Sequence, residues 1–150
     1  MSKYNAIIPN DVVNGEGVCT SFFVQGCPHH CKGCHNPHTW NYHGGKRMDI
    51  PEILTELKDS PNNVTISGGE PLVQYQAVRT LVFGLNRLQH KSIWLYTGYR
   101  FEEVYPEVWE KLMLNGVDVV VDGRFEEDKK DLTLQFRGSS NQRIIDLRKT

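Results

Sequence analysis

Three cysteines inside eight residues, Cys27, Cys31 and Cys34, constrain this chain more than anything else in its sequence. Held so close together, three soft thiolates suit an iron–sulfur cluster or zinc. Disulfides are a poor use for them. The opening segment, Met1 to Asp11, is polar rather than a secretory leader, so the chain reads as soluble and cytoplasmic, where thiols stay reduced. Cys19 stands apart in an apolar stretch and is expected in the core as a small apolar side chain. Without it, a four-iron cubane on Cys27, Cys31 and Cys34 keeps one iron free of protein, and an open metal position is what catalysis uses. Zinc is a live rival, because His29, His30, His35, His38 and His43 could each supply a fourth ligand.

Around the cysteines the sequence alternates strand and helix signals. Cys19 to Gly26 carries the run Phe22-Phe23-Val24, as in a strand covered on both faces. Asp49-Ile50-Pro51-Glu52 combines an N-cap acid, a first-turn proline and a Glu three residues after the cap, which predicts a helix from Ile50 to about Asp59. Asn63 to Ser67 then reads as a strand, Gln74 to Gln89 as a helix and Ser92 to Thr97 as a strand. A helix over Pro106 to Leu114 is stopped by Asn115-Gly116, and Val117 to Asp122 is again a strand. Such alternation implies right-handed crossovers and a parallel sheet in a single α/β domain covering residues 1–150, with functional groups gathered at the carboxyl ends of the strands. The polar motifs obey that rule. The cysteine loop follows the first of these strands, Ser67-Gly68-Gly69-Glu70-Pro71 the second, Thr97-Gly98-Tyr99 the third and Asp122-Gly123-Arg124 the fourth.

Composition excludes several partners. With 17 Lys plus Arg against 18 Asp plus Glu, the net charge is -1, and no global basic field draws the chain to nucleic acid. No apolar run approaches the roughly 20 residues that span a bilayer, so no membrane is expected. Trp40, Trp94 and Trp109 are expected as core or rim aromatics rather than stacking platforms for bases.

Cys-x3-Cys-x2-Cys after one strand, with Gly68-Gly69-Glu70-Pro71 after the next, resembles the radical S-adenosylmethionine superfamily. The resemblance implies a shortened, partial (βα) barrel with a parallel sheet, and a [4Fe-4S] cluster held by Cys27, Cys31 and Cys34 whose free iron chelates S-adenosylmethionine. It further implies that Gly33, Cys34, His35, Gly68, Gly69 and Glu70 contact that cofactor. Gly68-Gly69 lets the backbone approach a bound group, and Glu70 is expected to meet its ammonium. On this reading Gly69→Val blocks the cofactor while sparing the cluster.

Within the superfamily, Gly33 before the third cysteine resembles the branch of anaerobic ribonucleotide reductase activating proteins. So do Asp11 to Gly17, Thr39-Trp40, Trp94 to Tyr99, Val121 to Phe125 and Arg137 to Arg143. That branch implies an oxidoreductase that installs a glycyl radical. Its partners would be a glycine-bearing loop of the large subunit of the anaerobic ribonucleoside-triphosphate reductase and a low-potential electron donor such as flavodoxin. Tyr96 and Arg124 stand at strand ends where a related activase, that of pyruvate formate-lyase, places cofactor contacts. Arg137 to Arg143 is a candidate rim for the incoming loop. The alternatives are activation of another glycyl-radical enzyme and a zinc-stabilised Cys/His interaction module.

The three-thiolate assignment is testable directly: after reconstitution with iron and sulfide, Cys27→Ala, Cys31→Ala and Cys34→Ala are expected to lose the cluster's visible absorption, and Cys19→Ser to keep it.

Overall fold

A computed structural model describes residues 2–11, 19–34, 37–41, 46–58, 63–88, 92–131, 133–134 and 136–149. Strand β1 (Ser2–Asp11) leads to β2 (Cys19–Val24), and after the cysteine loop come β3 (Lys46–Met48) and helix α1 (Ile50–Lys58). Then follow β4 (Asn63–Gly68), α2 (Tyr75–Leu88), β5 (Ile93–Tyr96), α3 (Pro106–Asn115), β6 (Val119–Asp122) and β7 (Arg143–Asp146). The strands form one sheet in the order β3-β1-β2-β4-β5-β6-β7.

The parallel pairs are β2 with β4, β4 with β5 and β5 with β6, and these are the strands that the alternating pattern predicts. The expectation of a parallel sheet holds only there. β1 pairs antiparallel with both β2 and β3, and β7 antiparallel with β6, so the parallel centre has an antiparallel flank on each side. Nothing in the polar composition of the first residues marks β1. It also contains Pro9, which lacks a ladder donor. The pairing accommodates it: β3 meets only Ser2 to Tyr4, so Pro9 lies where β1 has β2 alone as a neighbour.

Burial shows why these residues form these elements. Phe22, Val24, Val64, Ile66, Ile93, Leu95 and Val120 alternate along the central strands, and all are buried in one core. Ile53 and Leu57 of α1, Val78, Leu81, Val82 and Leu85 of α2, and Trp109 and Leu112 of α3 pack into the same core. Their three- and four-residue spacing gives each helix one apolar stripe. All three helices therefore cover a single face of the sheet. On the opposite face Trp94, Val119 and Val121 are buried with Tyr96 and Phe136, so the chain after β6 folds back over that side. Gly116 ends α3 at φ 129°, and its N–H reaches the carbonyls of Leu112 and Met113.

Leu95 is wholly buried in the middle of the parallel strands. Leu95→Ala is expected to lower unfolding free energy by about 2–5 kcal/mol, read as a shifted urea midpoint at unchanged slope.

Candidate functional site

The carboxyl ends of β2, β4, β5 and β6 deliver four loops to one edge of the sheet. Between them lies a cleft of about 330 Å³ whose walls include Cys27, Cys31, Cys34, Gly68, Gly69 and Thr97. The residues that bring the cysteines there are backbone-determined. Gly26 leaves β2 at φ 103°, and His30 and Gly33 turn the loop at φ 48° and 77°. The amide of Cys34 closes the last turn onto the carbonyl of Cys31 at 3.1 Å. Gly26 and Cys27 donate to the carbonyls of Thr39 and Trp40, so the loop's return limb holds its start. His30 stacks on the Trp40 ring, with centroids 4.5 Å apart.

The two glycines at the end of β4 have a reason beyond the expected one. Gly68 has φ 111°, and a Cβ there would lie 2.5 Å from the backbone of Val24. At Gly69 a Cβ would come within 2.3 Å of the Gly26 carbonyl oxygen. That close approach carries hydrogen bonds from Gly69 N–H to Val24 O and from Glu70 N–H to Gly26 O. Both glycines line the cleft, but a side chain at Gly69 would first push against the residue before Cys27. Gly69→Val, expected from the sequence to block only the cofactor, therefore also meets the start of the cysteine loop.

Glu70 faces inward. Its carboxylate is fully buried and has four protein partners: Oε1 accepts from Gly98 N–H at 2.7 Å and His29 Nε2 at 2.6 Å. Oε2 accepts from the Thr97 hydroxyl at 2.8 Å and from Leu72 N–H at 3.1 Å. Glu70 is absent from the cleft wall, whereas His29 forms part of it. The side chain expected to meet an ammonium thus also bridges three loops.

Burial pushes the Cys27 thiol above its ordinary value, against an opposing effect of hydrogen bonds from the backbone of His29 and His30. Cys31 is raised by burial too, opposed by a backbone hydrogen bond from Phe125. These backbone donors are suited to thiolate sulfur, and such bonds tune cluster potential. Among the described residues, no three His, Cys, Asp or Glu side chains converge on a point that would hold a single ion. Three cysteine sulfurs on one cleft wall are a soft donor set of the kind that suits an iron–sulfur cluster.

Of the other expected contacts, Gly33 is not among the residues that line the cleft, and a Cβ there would meet Glu127 and the cleft residue Phe125 at 3.1 to 3.2 Å. His35 lies outside the described residues, as does the side chain of Cys19. Tyr96 lines the cleft and donates its hydroxyl to Phe136 O at 2.8 Å. Arg124 instead pairs with Glu103 at 3.0 Å, and that hydrogen bond holds the Glu103 carboxyl down at about 2. Trp94 and Trp109 are core residues, and Trp40 is a wall of the cleft.

The rim segment departs from expectation in its chemistry. Arg137, Gly138 and Gln142 line the cleft. Asn141 and Gln142, however, spend side-chain N–H groups on the carbonyls of Arg124 and Gly123, and Gln142 Oε1 accepts from Gly138 and Ser139. Buried N–H groups without a protein acceptor remain at Arg137 Nε and Trp40 Nε1 among the described residues. His29 and Thr97 line the cleft and both meet Glu70, which the sequence does not announce. Thr97 is marked only by its place at a strand end and His29 only as one of five histidines able to ligate a metal.

The cleft is thus a thiol-lined site at the carboxyl edge of an α/β sheet, and residues 13–145 match the family described as a 4Fe-4S single cluster domain. Relatives narrow this further. An anaerobic ribonucleoside-triphosphate reductase-activating protein of Pasteurella multocida (strain Pm70) is 38% identical over 152 residues, covering 95% of this chain and 96% of the relative. Proteins of the same name from Escherichia coli (strain K12) and Enterobacteria phage T4 are 36% and 38% identical, covering 97% and 95% of this chain and 99% and 92% of theirs. The chain belongs to the family of anaerobic ribonucleoside-triphosphate reductase-activating proteins.

The thiol environment has a measurable consequence in the metal-free protein. Because burial raises the Cys27 and Cys31 thiols above their ordinary value, each gives up its proton less readily than an exposed cysteine, and the proton must leave before alkylation. Their iodoacetamide labelling, followed by mass spectrometry, is expected to be slower at neutral pH than that of an exposed cysteine and to quicken as pH rises.

Proposed function

We propose that this chain is a radical S-adenosylmethionine enzyme that activates an anaerobic ribonucleotide reductase by generating a glycyl radical on its large subunit. The observation that carries the reading is the meeting of Cys27, Cys31 and Cys34 with the Gly68-Gly69 backbone on one cleft, in a chain whose relatives are named for this activation. In this reading the three thiolates hold a [4Fe-4S] cluster and leave one iron open. Helices confined to one face of the sheet support a shortened partial (βα) barrel of the radical S-adenosylmethionine type.

When bound, the cluster and S-adenosylmethionine would supply a one-electron reductive cleavage of a carbon–sulfur bond and, through it, hydrogen abstraction from a glycine Cα, the electron coming from an external low-potential donor. Every other task falls to the protein. Backbone N–H groups of His29, His30 and Phe125 offset thiolate charge on Cys27 and Cys31. Gly68 and Gly69 present bare backbone to the cleft, where the amino-acid end of S-adenosylmethionine is to be held. The unpaired N–H groups of Arg137 and Trp40 offer donors to its oxygen acceptors. Tyr96 and Phe136 narrow the cleft on the β5 side, which limits water around a reactive carbon radical. The peptide substrate is a loop with glycine at its tip, since only glycine leaves Cα open to approach. A low-potential donor such as flavodoxin supplies the electron. Among the described residues no helix is long and apolar enough to cross a membrane.

The anaerobically purified protein is expected to be brown, with four irons and four sulfides per chain. Mixed with the large reductase subunit, reductant and S-adenosylmethionine, it should yield an organic radical by electron paramagnetic resonance. Cys34→Ala should give none. A colourless protein with one zinc per chain overturns the reading.

A further inference from the structure

Glu70 is the largest buried polar commitment beside the cleft, and its contacts do not depend on any bound group. Its side chain is 0% exposed, and that of His29 is 5% exposed, with 2.6 Å between His29 Nε2 and Glu70 Oε1. A carboxylate in such a place is tolerable only when its oxygens are fully met by donors. Three of its four donors come from the loops after β4 and β5: Leu72 N–H, Thr97 Oγ1 and Gly98 N–H. The fourth, His29, comes from the cysteine loop, between the first two thiols. His29 is therefore the side-chain tie from that loop to this carboxylate.

The surroundings of the imidazole are built to keep it there. A Cβ at Gly98 would lie 2.5 Å from His29 Cδ2 and 2.7 Å from Nε2, so a side chain at position 98 would displace the ring. The Tyr99 ring meets the imidazole edge-on, with centroids 4.6 Å apart. Backbone bonds from Gly69 and Glu70 to Val24 and Gly26 fix the start of the cysteine loop, but they end at Gly26. Beyond that point Trp40 and the backbone of Phe125 hold the loop from its outer side, and His29 is the side chain that ties it to the residue following Gly68-Gly69.

We infer that His29 is a positioning residue: through its hydrogen bond to buried Glu70 it sets the cysteine loop against the Gly68-Gly69 turn, so that cluster and S-adenosylmethionine are held in one fixed relation. The inference rests on the cluster-and-cofactor reading above. Loss of His29 leaves three thiols in place, so cluster content should survive. It also leaves Glu70 Oε1 with Gly98 alone, so the turn that receives the cofactor loses its reference to the loop. The effect belongs in cofactor affinity and in the cluster's spectroscopic response to the cofactor.

The test uses anaerobically reconstituted full-length chain as wild type, His29→Ala, His29→Gln and His29→Asn. Iron and sulfide content, thermal midpoint, the S-adenosylmethionine dissociation constant and the cofactor-induced change in the reduced cluster's resonance are measured on each preparation. Gln places its amide nitrogen near the site of Nε2 and restores a donor, whereas the shorter Asn does not. The expected result is unchanged cluster content in His29→Ala with affinity about tenfold weaker, the scale of one hydrogen bond to a charged group. His29→Gln should recover most of that loss, and His29→Asn should not. Wild-type affinity in His29→Ala overturns the proposal. So does an equal loss in the Ala and Gln variants that tracks the fall in thermal midpoint, since that is a purely structural role. If His29→Ala fails to hold a cluster, the Gln and Asn variants decide: tighter binding by Gln supports the proposal and equal binding overturns it. A wild-type cluster that does not respond to S-adenosylmethionine at all refutes the underlying reading instead, and the two failures are therefore distinct.

Discussion

The site depends on one buried carboxylate. Glu70 sits where three strand ends converge, and the low dielectric around it makes each of its four hydrogen bonds stronger and each missing one more costly. The loops after β2, β4 and β5 have little regular structure of their own, and short polar loops ordinarily vary in position. Here they share an acceptor that cannot be left unmet. The geometry of the cleft is thus enforced by the cost of an unsatisfied charge more than by the packing of apolar side chains, which lies chiefly on the opposite, helical face.

The glycines act with that carboxylate. Because Gly68 and Gly69 carry no Cβ, the end of β4 runs against the backbone of Val24 and Gly26 at distances no side chain permits. The two strand ends are therefore bonded to each other before the loops diverge. A motif that reads as a binding turn also welds adjacent strands, and these two uses cannot be separated by substitution at Gly69. The segment after β6 completes the enclosure from the other side: Phe136 packs on Trp94, and Phe125 and Glu127 reach across to Gly33.

Much of this was legible in the sequence, for physical reasons. β2, β5 and β6 announce themselves by apolar runs and β4 by its β-branched Val64, Thr65 and Ile66, and α3 carries its own stop signal in Asn115-Gly116. The collection of polar motifs at one sheet edge follows from the handedness of the crossovers. β1 was not legible, because its place comes from pairing with β2 and β3, not from its own polar residues. The inward turn of Glu70 was hidden for a related reason. Its partners lie 41 residues before it and 27 and 28 after, and a sequence motif conveys only neighbours. The self-contained hydrogen bonding of Asn141 and Gln142 was likewise invisible in a run that reads simply as polar.

The compactness of the cysteine loop bears on how the protein is made. Cys27 and Cys34 are separated by only a few residues, so a cluster held as proposed above would close a short loop and remove little entropy from the unfolded chain. Domains whose metal joins distant segments need that metal to fold. In this chain the hydrophobic core and the Glu70 bridge join residues far apart in sequence. A ligand seated within eight residues staples no distant segments together, so the closing of the sheet falls to the polypeptide's own side chains.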